Sequence, residues 1–344
     1  MSNWKDLKDN PRLKNIYETR LQILRLIREF FWSQNFVEAE TPVAVRFPGQ
    51  EPYLNPVAVD FLDPLKTSYR LYLRTSPEFA LKKLLATGIE KIFEIGKCFR
   101  NEESFGGTHN TEFTMIEWYR APGTYKEIMD DTENLFKYVG EKIGKNKLKY
   151  RDQEIDLSGQ WERSSVKELW QKYICVNLDD YLEIQPMRKL VLDLGFTVDE
   201  KDEYEDLFYK IFLNKIENNL GKDVPIFVYD YPASLCSLSR KCENDERYAQ
   251  RFEVYVGGLE LANAFGELTD FKLQQENLQK DKELRERLGR PTWAVDPSFI
   301  AALESGIKPA GGIALGVDRM VLLFTGARDI NEVIFQSVAD QLEN

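Results

Sequence analysis

The stretch RNEESFGGTHNTEF, residues 100–113, sets a Gly-rich loop between an Arg-x-Glu and a phenylalanine, and it holds the only histidine among 344 residues. The flanking segments, 91–102 and 111–119, are strand-like, so the stretch predicts the tip of a long antiparallel hairpin. In a strand, side chains two apart share a face. Arg100 and Glu102 then point one way, and Phe113, Met115, Glu117 and Tyr119 line one face of the partner strand. A guanidinium, carboxylates, a phenol and an aromatic ring on one surface are the parts that hold a nucleotide and a cationic amino acid. Arg chelates phosphate oxygens and Phe stacks on adenine. His109, at the tip, can donate to outer phosphates. Taken singly, each residue reads better as a solvated ion pair, a core ring or an exposed loop residue. The ensemble carries the functional reading.

A second hairpin is written in RFEVYVGGLELANAFGEL, residues 251–268, where Gly257-Gly258 suits a two-residue turn. With those glycines as the turn, Tyr255 faces Glu260 and Glu253 faces Ala262. Glu253 and Glu260 then become diagonal neighbours on one face, roughly 7–8 Å apart, a separation at which they can share Mg²⁺ and phosphates. Strict alternation would send Asn263, Phe265 and Glu267 to the opposite face, so the strand is expected to bulge near Ala262. The pair by itself is equally compatible with a half-exposed sheet whose acidic residues face water.

The third segment, GGIALGVDRM at 311–320, matches neither G-x-G-x-x-G nor a P-loop. Its small residues let a ligand approach the strand backbone, while Arg319 adds a cation in the first turn of the following helix. That combination suits a phosphate.

Elsewhere, Leu13, Ile16, Leu24, Ile27 and Phe31 recur at helical spacing through 12–35. Phe36 to Glu40 reads as extended and stops at Pro42. A helix is expected at 76–87, with Ser76 as its N-cap, Pro77 in the first turn and Gly88 as its end. Further helices are expected at 124–146 and 270–288, and a strand at 225–230. Residues 150–223 carry no interpretable motif. They read as a partly helical insertion within one domain spanning 1–344.

Composition bounds the function. Hydrophobic residues at 43% and charged residues at 30% describe an ordinary globular chain. A net charge of −11 argues against phosphate-backbone binding as the main task and suits cationic ligands or metal ions. Four cysteines without a C-x-x-C pair, and one histidine, remove the usual zinc patterns, so buried reduced thiols are expected. Neither a signal core nor a membrane-length apolar run is present, which predicts a cytoplasmic protein with no membrane partner.

In order along the chain, the helix, strand and Pro42, then FRNEE with HNTEF, then GIALGVDR, resemble the three signature motifs of class II aminoacyl-tRNA synthetases, most closely the lysyl branch. The resemblance runs from about 12 to 336 and is weakest over 150–223. It implies an α+β fold, a mixed, mainly antiparallel sheet flanked by helices, with the first motif forming a homodimer interface. It implies ATP and Mg²⁺ as cofactors. Arg100 would meet the α-phosphate, Phe113 adenine, and His109 and Arg319 the outer phosphates; Asn110 joins the ATP site, and Glu253 and Glu260 hold magnesium. Arg100, Glu102 and Arg319 would serve catalysis, with Glu102 near the α-amine. The lysine pocket would use Glu78, Glu117, Tyr119, Asn263, Phe265, Glu267 and Ala314.

The lysyl-tRNA synthetases carry an N-terminal anticodon-reading barrel, and the first motif here begins too early to leave room for one. The chain therefore looks like the short paralogues that attach lysine to translation elongation factor P, which makes tRNA an unlikely partner. IEWYRAP, VYDYPASLCSLS and Ala314, where lysyl synthetases have glycine, point the same way, and in those paralogues the alanine goes with (R)-β-lysine. One departure is Ala264, in Asn-Ala-Phe where both groups read Asn-Gly-Phe; it is expected to add a methyl near the substrate. A truncated tRNA-charging or adenylate-forming enzyme, and a non-catalytic regulatory paralogue, are the rival readings.

Overall fold

The computed structural model describes residues 4–342. Its strands are β1 (Val37–Glu38), β2 (Ala44–Val45), β3 (Val57–Leu62), β4 (Ser68–Leu73), β5 (Lys91–Phe99), β6 (Glu112–Arg120), β7 (Lys147–Tyr150), β8 (Gln153–Asp156), β9 (Glu162–Ser165), β10 (Ile226–Pro232), β11 (Tyr248–Val256), β12 (Leu259–Gly266) and β13 (Gly311–Gly316). Its helices are α1 (Trp4–Asp9), α2 (Pro11–Ser33), α3 (Glu78–Leu85), α4 (Tyr125–Ile143), α5 (Val166–Ile174), α6 (Ile184–Asp193), α7 (Tyr204–Ile211), α8 (Phe271–Arg287), α9 (Pro297–Glu304), α10 (Val317–Thr325) and α11 (Val338–Leu342).

Eight strands form one sheet in the order β1-β5-β6-β13-β12-β11-β10-β9. Only the outermost pairs, β1 with β5 and β9 with β10, are parallel. The expected α+β architecture with a mixed, mainly antiparallel sheet is present. One face of the sheet is apolar: Ile116, Trp118, Phe252, Val254, Ala264, Ile313 and Leu315 join a core closed by Phe30 and Phe31 of α2, Phe136 of α4 and Val321 of α10. The other face is left for the cavity described below.

Local chemistry explains the boundaries. Asn10 caps α2 by accepting from the Arg12 and Leu13 amides, and Pro11 opens the helix. Thr124 and Glu127 form a reciprocal capping box on α4. α3 starts one residue later than expected, at Glu78 with Pro77 as cap residue; Ser76 Oγ still accepts from the Glu78 amide at 3.4 Å. Gly257 and Gly258 both take positive φ, 63° and 73°, as the tight turn joining β11 to β12 requires. The expected bulge is there. Tyr255 pairs with Glu260 but Val254 pairs with Ala262, so Leu261 is the extra residue and Glu253 faces Asn263, not Ala262.

Residues 150–223 complete the sheet with β9 and then build α5, α6 and α7 around a second apolar core on β10 and β11. All four cysteines are free; Cys98 and Cys236 are buried as expected, whereas Cys175 is exposed. Among the described residues, no helix is long and apolar enough to cross a membrane.

Candidate active site

Antiparallel register lines up side chains from distant segments into rows. Glu94, Glu117, Ala314, Asn263 and Glu253 are successive cross-strand partners over β5, β6, β13, β12 and β11. Two residues along, Ile92, Tyr119, Gly312, Phe265 and Arg251 repeat the pattern. The middle members of these rows, from β6, β13 and β12, floor a cavity of about 290 Å³. Arg100, His109, Asn110, Phe113, Glu117 and Tyr119 reach it from the first hairpin, Glu78 from α3, Glu260, Asn263, Phe265 and Glu267 from β12 and its end, and Ala314 and Arg319 from β13 and α10.

Two of the expected site residues lie elsewhere. β5 ends at Phe99, so the alternation that paired Arg100 with Glu102 does not extend to them. Glu102 sits at φ 64°, exposed, accepting from Asn55 Nδ2 at 2.6 Å, and Glu103 lines the cavity in its place. Glu253 lies behind the cavity wall, 4% exposed, accepting from the Tyr231 and Tyr255 hydroxyls at 2.6 Å and from Arg251 at 2.5 Å.

One end of the cavity is cationic. The Arg100 guanidinium lies 5.1 Å from the Phe113 ring centre, and its Nε is buried without a hydrogen-bond partner. Arg319 Nη1 donates to the Glu260 carbonyl at 2.6 Å, and Nη2 lies 2.9 Å from His109 Nε2. A guanidinium only donates, so Nε2 is the acceptor and the imidazole is neutral. Burial and the charge of Arg319 hold His109 below its ordinary pKa accordingly. In this arrangement His109 orients Arg319 rather than donating through Nε2. Arg319 is held from behind as well: Asp318 accepts from Arg20 of α2 at 2.5 Å and from the Thr114 amide at 2.7 Å.

The other end is acidic. Glu117 is 1% exposed; Tyr119 donates to its Oε2 at 3.0 Å while Oε1 is buried with no partner. Burial and the nearby Glu78 raise its carboxyl well above the ordinary range. An unpaired buried acceptor of this kind is costly until a donor arrives, and an ammonium is a suitable donor. Lys82 is a resident cation that sequence reading missed. It is 2% exposed and lies 2.5 Å from both Glu78 Oε1 and Glu267 Oε2. The three carboxylates Glu78, Glu117 and Glu267 therefore face one internal ammonium. Gly312 lets Tyr119 and Glu267 close over β13, since a Cβ there would fall 2.2 Å from Tyr119 Cε1 and 2.4 Å from Glu267 Oε1.

A polar network supports the floor. Arg251 Nε donates to Asn263 Oδ1 at 3.0 Å, Nη2 to Glu253 and to the Tyr209 hydroxyl at 3.0 Å, and Nη1 to the Leu235 carbonyl at 3.1 Å. Tyr209 comes from α7, so the insertion reaches the base of the site. Ala264, by contrast, pairs with Phe252 and Ile313 inside the helix-covered core, fully buried. Its methyl does not enter the cavity, contrary to expectation.

Comparison with known proteins decides the family. The family model described as tRNA synthetases class II (D, K and N) matches residues 2–337. The chain belongs to that family. It is 35% identical over 335 residues to the elongation factor P–(R)-β-lysine ligase of Hamiltonella defensa subsp. Acyrthosiphon pisum (strain 5AT), covering 97% of each chain. It is 34% identical to the protein of the same name from Proteus mirabilis (strain HI4320), covering 97% of this chain and 98% of that one. Against the lysine–tRNA ligase of Magnetococcus marinus (strain ATCC BAA-1437 / JCM 17883 / MC-1) it is 36% identical, over 96% of this chain and 65% of the relative. As a member of this class II family it is an amino-acid-activating ligase.

The resemblance to class II synthetases implies magnesium, and the cavity offers one carboxylate that could hold it. Glu260 lines the cavity, and among the described residues its carboxylate pairs with Arg319, at 3.8 Å. Burial and the neighbouring Glu253 raise its carboxyl, a repulsion that a cation would relieve. Glu217, unforeseen and carried by the insertion, is raised to about 7 by burial and by Glu260 and Glu253. Among the described residues, no three His, Cys, Asp or Glu side chains form a metal cage. That fits magnesium, which is usually held by one or two carboxylates with substrate phosphates supplying further ligands. Glu260 is the direct candidate, and Glu253, held by Tyr231, Tyr255 and Arg251, is its charged neighbour behind the wall.

Proposed function

We propose that the protein activates (R)-β-lysine, or lysine, with ATP as an aminoacyl-adenylate and transfers it to the ε-amine of a lysine on translation elongation factor P. The observation that carries this reading is the polarity of one cavity. Unpaired Arg100 Nε beside Phe113 faces one end, and the unpaired Glu117 Oε1 beside Tyr119 the other. A nucleotide phosphate suits the first and a substrate ammonium the second. The end-to-end match to two elongation factor P–(R)-β-lysine ligases supports the acceptor.

In the first step the substrate carboxylate attacks the α-phosphorus of ATP and pyrophosphate leaves. Arg100 would stabilise the developing charge, and Phe113 would hold the adenine plane. Glu260 would hold magnesium, which neutralises phosphate oxygens. Glu78, Glu117 and Glu267, with Tyr119, Asn263, Phe265 and Ala314 shaping the walls, would position the diamino acid so that binding supplies much of the acceleration. Pairing of two copies through α2 and β1 belongs to the same reading.

The test is to incubate the protein with ATP, Mg²⁺, (R)-β-lysine and elongation factor P and weigh the factor by mass spectrometry. A gain of one lysyl group is expected. An unchanged mass together with efficient charging of tRNA would replace this reading by the second one, a tRNA-charging ligase, which the 36% identity to a lysine–tRNA ligase favours. Arg100→Ala should abolish pyrophosphate exchange, and near-normal exchange would remove the role given to Arg100.

A further inference from the structure

A second groove, of about 370 Å³, opens beside the cavity, and the two share Glu51 and Ser76 in their walls. Its sides are apolar, built from Val45 of β2, Phe47 and Pro48 of the following loop, and Phe79 and Ala80 of α3. Its other charges are already engaged. Lys83 pairs with Asp296 at 2.5 Å, Arg74 pairs with Glu94 at 2.7 Å, and the Arg46 guanidinium lies 5.3 Å from the Phe47 ring centre. Among the described residues, no side chain donates a hydrogen bond to the Glu51 carboxylate, which lies against Gly49, where a Cβ would fall 2.1 Å from Oε2. The loop bearing it is clamped. Fully buried Arg285 of α8 donates through Nη1 to the Glu51 and Leu54 carbonyls at 2.7 Å, with its guanidinium 4.4 Å from the Trp293 ring centre.

We propose that this groove admits the alkyl-ammonium side chain of the acceptor lysine and that Glu51, at its junction with the cavity, takes a proton from the incoming ammonium. An aliphatic stem against apolar walls and a charged head at a carboxylate is the arrangement a lysine side chain favours. The assignment rests on the two-step reading above and gives its second step a base. The ammonium loses one proton to Glu51, and its freed lone pair attacks the adenylate carbonyl carbon. The carbon–oxygen bond to phosphate breaks, AMP leaves with that electron pair, and the second nitrogen proton goes to the departing phosphate. The groups around Glu51 suit it to the task. Burial and Glu78 raise its carboxyl above the ordinary range, Arg100 and Arg285 oppose them, and Asp281 of α8 lies close enough to be raised by Glu51 in turn.

The test separates nucleophiles that need a base from those that do not. Adenylate is preformed from ATP and (R)-β-lysine, then divided between n-butylamine, protonated at neutral pH, and hydroxylamine, which is not. In Glu51→Gln the ratio of butylamide to hydroxamate should fall ~10²-fold, the usual scale of general-base assistance. Ala80→Phe, which narrows the groove, should lower the same ratio on the order of tenfold. An unchanged ratio in Glu51→Gln overturns the proposal, as does an equal loss of both products, which would place Glu51 in adenylate formation. Adenylate formed only from some other amino acid would overturn the substrate reading, while the same ratio, measured on that adenylate, still decides the role of Glu51.

Discussion

Lys82 Nζ lies 2.5 Å from Glu267 Oε2 and the same distance from Glu78 Oε1, buried behind these two pocket-lining carboxylates. Burial raises the Glu267 carboxyl to about 7, and the Lys82 charge restrains that rise. Lys82→Met should cost about 3–5 kcal/mol in stability, because it strands buried carboxylates without their cation. It should also push Glu267 further up, so that fewer pockets are ionised at neutral pH. The KM for the diamino acid in pyrophosphate exchange should then fall as pH is raised from about 7 to about 9, more steeply than in the native enzyme. A pH-independent KM in the variant would count against this role.

Gly312→Ala places a methyl where Tyr119 and Glu267 already stand. Overpacking of this kind costs about 1–3 kcal/mol. The KM for the amino acid should rise at least on the order of tenfold, with a smaller effect on the KM for ATP, since the displaced groups lie at the acidic end. Steady-state kinetics on the folded variant, checked by circular dichroism, decides it.

Arg251→Met removes the donor that orients Asn263 and leaves Glu253 short of a partner. Loss of a buried charged hydrogen-bonding group should lower stability by about 3 kcal/mol or more. Tyr209→Phe removes one of the same Arg251 bonds and should cost about 1–2 kcal/mol. Urea unfolding of both variants gives the comparison. A Tyr209→Phe protein as stable as the native one would detach the insertion from the site.

Glu205, Glu217, Glu267 and Asp281 are all raised to about 7, chiefly by burial. Unfolding returns them to ordinary carboxyl values, so between about pH 5 and pH 7 the folded state binds more protons and stability falls as pH rises. His109 works the other way, since its pKa is lowered on folding, but it is one group against four. The melting temperature should therefore decline from about pH 5 to pH 7, and ATP with Mg²⁺ and the diamino acid should lessen the decline. Calorimetry at fixed ionic strength checks both signs.

Trp32 of α2 and Val37 of β1, five residues on, are about half exposed, with Phe36 buried between them. If two copies pair there, Val37→Glu should convert a dimer of the native protein to a monomer by light scattering. A native monomer would remove this part of the reading.

Much of this was legible because the governing signals are local. The Gly257-Gly258 turn fixed one end of its hairpin, and the need to keep Glu260 and Asn263 on one face required the Leu261 bulge. Period-two alternation already placed Ala264 opposite Asn263 and Phe265; its inward methyl was a misreading of that same rule. Glu102 failed because strand pairing ends one residue before Arg100, where alternation no longer applies. Lys82 was hidden by its commonness, since Glu78 and Lys82 at i,i+4 usually mark a solvated helix face. Glu217, Tyr209 and Glu51 come from segments without periodic or motif signals, and only tertiary packing brings Glu51 to the cavity wall, Tyr209 to Arg251 and Glu217 close to Glu260.

The cavity-lining part of the first row, Glu117, Ala314 and Asn263, crosses three strands. Neighbouring strands rotate by about 20–25° each, so two steps accumulate roughly 40–50° between its ends. A ligand laid along that row meets a propeller surface, not a plane, and must be wound to touch all of it. Handedness enters at that point: a molecule and its mirror image, equal in charge and length, would thread this curved track differently.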